Sequence, residues 1–308
     1  LFASPLSYRG IFYYFEHDDG KHTLVLSDAA SSAKPCPVKS TLPFRTLAGS
    51  TEGDDITTWM ASLTIVPEKI SLQDYNFAQP TTDLLASSPS MASQAKQSQL
   101  DLYDYHPGRY TTVSDGERYA KIMMERFDGE QARIQGEGEC RTLAAGYSFT
   151  LSKHFREECN GEYFLLTVHH NATNNLPWNG RLAKYSNQFL CQSKQTSYRP
   201  ARLHTKPNIS GVQSATVVGP KDEEIYTDKY GRVKIQFPWD RIGKNNDQSS
   251  CWVRVSQAWA GVTWGTIHIP RVGQEVLVEF LEGDPDQPII TGRVYNAQKM
   301  PPYELPTN

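Results

Sequence analysis

ATVVGPKDEEIYTDKYGRVKIQFPWDR (215–241) and IPRVGQEVLVEFLEGDPDQPIITGRVYN (269–296) bound the stretch that decides the fold. Five short β-forming runs lie between residues 215 and 296, with one hairpin counted as a single run. They are 215–218, the hairpin of 225–227 with 232–237, 252–256, 274–280 and 289–294. Val233, Ile235 and Phe237 alternate with Lys234 and Gln236, and Val276, Val278 and Phe280 alternate with Leu277 and Glu279. Such period-two patterning buries one face of a strand. Tyr230-Gly231 supplies a turn before one run, and Glu282-Gly283-Asp284-Pro285-Asp286 supplies another before the last. Five short strands in about 80 residues predict a small closed barrel of the OB type.

Upstream, GIFYYFEHDDGKHTLVL (10–26) sets two aromatic-rich runs around Asp18-Asp19-Gly20. Asp-Gly between β-formers signals a hairpin, with strands predicted over 11–16 and 22–27. Residues 28–53 are rich in Ser, Ala, Pro and Thr and read as an irregular connection. Residues 56–65, with Trp59 and Met60, predict a strand. Residues 81–100 are rich in Ser, Ala and Gln and predict a flexible surface insertion. Ser114-Asp115-Gly116-Glu117 fits a capping box, and the helix it announces runs to Gln131. Tyr119, Met123 and Phe127, with Ile122 beside them, give that helix one apolar face. Lys121 and Glu125 stand at i,i+4 on it. Residues 146–151, 163–169 and 185–190 read as further strands, with a turn-rich break at 171–180. Tyr198-Arg199-Pro200 and Lys206-Pro207 mark a linker, where the first domain ends.

Composition narrows the chemistry. The chain has 308 residues, enough for two domains of ordinary size. Its formal net charge is −3 and its pI about 6.3, which argues against a general nucleic-acid binder. Residues 207–308 hold ten Lys/Arg against twelve Asp/Glu, so the barrel carries no electrostatic groove for a single strand. No apolar run is long enough for a membrane-spanning helix. The five cysteines, Cys36, Cys140, Cys159, Cys191 and Cys251, are odd in number and widely spaced, which suits free thiols better than zinc pairs or a disulfide framework.

His169 and His170 adjoin on a strand, point to opposite faces and cannot share a metal. His17 and His22 flank the hairpin turn and can face each other across it, but with no cysteine nearby they read as surface imidazoles. Residues 282–286 lack the spacing and closing glutamate of a calcium loop and read as an acidic turn. Gly136-Glu137-Gly138-Glu139 lacks the Gly-Lys-Ser/Thr ending of a phosphate loop. No catalytic, cofactor-binding or metal residue is assigned, and an enzyme is not expected.

Residues 223–241, SSCWVRVSQAWAG (249–261), 269–296 and MPPYELP (300–306) resemble the VgrG family, the spike proteins of type VI secretion. This family is similar to the fused hub and spike of contractile phage tails. Upstream, GIFYYFEHDDGKHTLVLSD (10–28), YDYHPGRY (103–110), HHNATNN (169–175) and YRP (198–200) are similar to its hub region. The resemblance implies a mainly β fold: a barrel-like hub domain with one clear helix (1–206), a five-stranded OB-type barrel (207–295) and the root of a β-helical needle (296–308). It implies a fragment, because family members carry an earlier hub segment that enters through a helix ending in acidic residues, which LFASPLSYR (1–9) does not show. The needle, too, continues in the family beyond this chain's end.

The implied function is mechanical. Homotrimers of the family cap a hexameric tube of Hcp, carry a PAAR-repeat tip protein and deliver secreted effectors. The needle, rather than this part, meets the target membrane. Assembly in the bacterial cytoplasm and secretion into the medium or a target cell follow from the resemblance. A contractile phage tail or related injection particle is the alternative setting.

Overall fold

A computed structural model describes residues 3–45, 53–92, 100–174, 183–203 and 205–306. Two compact units emerge: Leu1–Tyr105 with Tyr110–Thr205, and His106–Arg109 with Lys206–Asn308.

The first unit begins with α1 (Ala3–Tyr8). A helix does precede the hairpin, although LFASPLSYR does not end in the acidic residues of the family's entering helix. The helix forms because Gly10 takes a left-handed φ of 72° and closes it, with Ile11 N–H bonded to Leu6 O at 2.9 Å and Gly10 N–H to Ser7 O at 3.1 Å. It carries no acidic residue in its first turn. Strands β1 (Phe12–Asp18) and β2 (Lys21–Ser27) then pair as an isolated two-stranded sheet, with Gly20 at φ 69° in the turn. Phe12 on its inner face packs edge-on against Phe164 and Tyr198.

Next come β3 (Thr41–Pro43), β4 (Ile56–Leu63), β5 (Lys69–Gln73), β6 (Ala86–Pro89) and β7 (Asp101–Tyr105). After α2 (Val113–Gln131) follow β8 (Ala132–Gly138), β9 (Ser148–Ser152), β10 (Gly161–Thr173) and β11 (Lys184–Ser193). Six of these strands order as β3-β9-β10-β11-β8-β4. A parallel bridge from Phe44 to Ile56, with Arg45 N–H on Ile56 O at 2.9 Å, joins the two edges and closes a barrel. Its core holds Leu42, Ile56, Phe149, Leu151, Leu165 and Phe189, with Trp59 edge-on to Tyr163 at 4.8 Å. Burying each such side chain stabilises by about 1.5–3 kcal/mol before entropy is counted.

A second core forms where α2 lies on the sheet β6-β5-β7. Met123 is buried in it and Tyr119 and Phe127 pack against it, as the helical spacing predicts, whereas Ile122 is buried outside this core, beside Gly10. The cap, however, is Thr112 rather than Ser114: its hydroxyl accepts from Asp115 N–H at 3.2 Å. Glu125 pairs not with Lys121 but with Arg199, at 2.7 Å. That guanidinium also donates to Gly10 O and Asp28 O, so it ties the helix to the base of the hairpin.

The expected insertion at 81–100 is not all surface. Leu84, Ala86 and Ser90 are buried and β6 pairs with β5, because these residues fill the gap beside α2. Residues 93–99 of that stretch, 175–180 of the expected break and 46–52 of the expected connection lie outside the described residues. The break also starts later than expected, since β10 continues to Thr173.

The second unit contains β12 (Gln213–Val218), β13 (Lys234–Gln236), β14 (Arg254–Val255), β15 (Glu275–Phe280) and β16 (Pro288–Val294), ordered β13-β12-β15-β16-β14. The Val233–Val253 bridge, bonded both ways at 3.0 and 2.8 Å, joins the first strand to the last, and the barrel closes. Val233, Ile235, Val276 and Val278, inward as their alternation predicts, fill it with Val217, Val253 and Ile290, and Phe237 and Phe280 of the same predicted faces are partly buried against it. Residues 225–227, expected as a strand, are not one. Val272 N–H bonds Glu224 O at 2.9 Å outside any ladder, and Tyr226 lies against Trp252 with centroids 5.0 Å apart.

Candidate functional site

Strand register places the histidines. His17 and His22 are direct partners across the hairpin, and their Nδ1 atoms stand 2.8 Å apart. On β10, His170 Nδ1 lies 2.5 Å from the Tyr185 hydroxyl. His169 instead lines a shallow concavity of about 310 Å³ with Met60, Glu137 and Gln188. Glu137 there accepts from the Gln188 amide at 2.8 Å. Among the described residues, no three His, Cys, Asp or Glu side chains converge to hold a metal.

The glycines of 136–139 have a packing role that sequence reading did not assign. A Cβ on Gly136 would meet the Phe189 ring at 2.2 Å, and one on Gly138 would meet Asp55 O at 2.4 Å. Both positions let the hub barrel close tightly around its aromatic core. The cysteines are all free thiols, and Cys36, Cys140 and Cys191 are buried. Burial, aided by the nearby Asp54 charge, pushes the Cys140 thiol up to about 12. Burial alone raises Cys191. Such thiols are poor nucleophiles at neutral pH.

The acidic turn is an anchor. Asp284 is buried and accepts from Lys206 Nζ at 2.5 Å, while Asp286 accepts from the same ammonium at 2.6 Å. Burial opposes the Asp284 charge, but the Lys206 ammonium and the Asp286 N–H outweigh it and hold the carboxyl below its ordinary range. Ile209 N–H also bonds Gly283 O at 2.9 Å. The turn therefore fixes where the barrel's first strand enters.

The described surface offers apolar faces. After β14 the chain forms a tight loop in which Gly261 N–H bonds Trp264 O and Thr266 N–H bonds Trp259 O, each at 2.9 Å. The Trp259 and Trp264 rings meet edge-on at 5.4 Å. Yet Trp259 is 63% exposed, Val262 84%, Trp264 58% and Ile267 72%. A hydrogen-bonded loop that leaves two tryptophans exposed is a candidate interaction surface. Tyr295, Met300, Tyr303 and Leu305, near the end of the chain, are exposed as well. On the hub, Tyr13, Phe15, Leu24 and Leu26 share the outer face of the hairpin. Nothing in SSCWVRVSQAWAG (249–261) alone reveals this surface. The usable signal was Trp259 and the following Trp264, outside any predicted strand and punctuated by Gly261 and Gly265.

Two family models match, "Phage tail baseplate hub (GPD)" over residues 6–176 and "Type VI secretion system/phage-baseplate injector OB domain" over 213–295. Type VI secretion system spike protein VgrG1b of Pseudomonas aeruginosa is 43% identical over 305 residues, 97% of this chain and 41% of that protein. The chain belongs to the VgrG family, on the phage tail baseplate hub fold.

Another VgrG relative, actin cross-linking toxin VgrG1 of Vibrio cholerae, is 40% identical across 97% of this chain and 27% of its own length. This chain thus spans less than half the length of these VgrG proteins. Among solved structures, an E. coli type VI secretion component is described as similar to the T4 bacteriophage tail proteins gp27 and gp5. It shares the fold at TM-score 0.58 and 18% identity, over 95% of this chain and 59% of that one.

Proposed function

We propose that this chain forms the hub and barrel base of a trimeric type VI secretion spike and performs no catalysis. The observation that carries the reading is the hydrogen-bonded loop bearing Trp259, Val262, Trp264 and Ile267, whose apolar surface is left exposed. Three copies about one axis bury such a surface and satisfy every copy alike. In this reading residues 1–206 are the hub domain, 207–295 the OB-type barrel and 296–308 the root of the needle. The exposed Tyr295, Met300 and Tyr303 support the last assignment, since a needle would cover them.

The rest of the proposal follows from symmetry. A complete hub with two similar barrels per chain presents six positions, so a trimer can seat on a hexameric Hcp tube. A PAAR-repeat protein tips the needle, and effectors leave with the spike. Assembly takes place in the bacterial cytoplasm and ends with secretion into the medium or a target cell, whose membrane the needle punctures.

The test is complementation of an in-frame deletion. Wild-type protein is expected to restore tube protein to the medium, and a Trp259→Ser, Trp264→Ser double variant to fail. Secretion unaffected by the deletion would overturn the proposal. The hub match over 6–176 favours a contractile phage tail as the second reading. Tube, sheath and ATPase genes beside this one support secretion, whereas capsid and terminase genes support the phage.

A further inference from the structure

We propose that His17 and His22 form a two-nitrogen chelate site for a divalent first-row transition metal ion at the tip of the β1–β2 hairpin. The two residues are register partners one pair in from a two-residue turn. The pair that closes such a turn is hydrogen-bonded, so the next pair inward is the non-hydrogen-bonded kind, in which side chains come closest. The Nδ1 atoms are 2.8 Å apart and the ring centroids 5.0 Å. Metal–imidazole bonds of about 2.0–2.1 Å at a right angle put two nitrogens about 2.9 Å apart. The observed spacing is therefore close to the bite of adjacent positions in a square-planar or octahedral complex. Nickel(II) and copper(II) favour those angles and imidazole nitrogen, whereas magnesium and calcium favour oxygen.

The surroundings suit a dication. Asp18 and Asp19 set two carboxylates beside one ammonium, Lys21, at the tip. Glu16 is engaged by Lys34 at 2.7 Å and does not compete. Both imidazoles are exposed, so an ion reaches them without any rearrangement of the hub, and water fills its other positions. In the metal-free hairpin one imidazole donates to the other. When the ion binds, the donating ring shifts its proton from Nδ1 to Nε2 through solvent, both Nδ1 lone pairs coordinate the metal, and the two bonds crosslink a sheet that has only two strands.

Nickel(II) chloride titrated into untagged protein, followed by calorimetry, tests the site. One ion per chain is expected. His17→Ala and His22→Ala should each weaken binding by more than about tenfold, because loss of a ligand costs at least what loss of a supporting contact does. Both positions are exposed, and circular dichroism without metal checks that each variant folds. Copper(II) added to the wild type supplies a readout that needs no variant: broadening of amide resonances should be confined to the hairpin tip. Absence of binding, affinities unchanged in both variants, or broadening centred on other histidines would overturn the proposal.

Discussion

Asp284 and Gly136 show how single residues set this fold. The folded pKa of Asp284 lies below the unfolded value near 3.8. Its contribution is therefore complete above that value and fades as pH falls through the lowered folded one. Asp284→Asn should cost about 1–3 kcal/mol at neutral pH, toward the low end because Lys206 is partly exposed and can rehydrate. Urea melts at pH 7 and in strong acid check both the loss and its disappearance. Gly136→Ala should cost about 1–3 kcal/mol through overpacking against Phe189. Adding Phe189→Leu should return part of it, which a double-mutant cycle would measure. Neither role was legible in the sequence. The acidic turn could be recognised as a turn, but its partner Lys206 lies far away along the chain. Gly136 and Gly138 could be excluded as a phosphate loop, but the ring that needs their space belongs to another strand.

Among the elements, α2 was legible because its apolar spacing is local, and β1 and β2 because Asp-Gly stands between them. Its cap was misplaced by two residues, since Thr112 and Ser114 both satisfy the pattern and only backbone geometry separates them. Thr112→Ala should therefore lower stability by about 1 kcal/mol and Ser114→Ala by much less. Thermal melts of the two variants decide it. Strands β5 and β8 were missed for a different reason. β5 is five residues long and pairs in parallel with β7, a contact that only the crossover through β6 creates. β8 is interrupted by glycine and gains its order from β4 and β11 on either side. Residues 225–227 show the opposite error: β-branched and aromatic side chains found an aromatic partner without joining a ladder.

At the scale of the whole molecule, two barrels close by single bridges, Phe44–Ile56 in the hub and Val233–Val253 in the second unit. Closure removes exposed sheet edges, a common source of unwanted pairing between chains. Sheet edges remain in the β1–β2 hairpin and in β6-β5-β7, and apolar side-chain surface remains around Trp259 and Trp264. That combination suits ordered assembly of identical copies. In the assembled protein, Trp259→Ser with Trp264→Ser should weaken association by about 2 kcal/mol or more, as for buried tryptophans at other interfaces. The mainly β fold and the OB-type barrel were legible from alternation and turns, whereas this surface was not, because exposure depends on every other element. The most direct measurement is sedimentation equilibrium of this chain together with whatever native sequence follows Asn308. A trimer that the double tryptophan variant shifts towards monomer is the expected result. A monomer at every concentration and salt condition would contradict the assignment as a spike base.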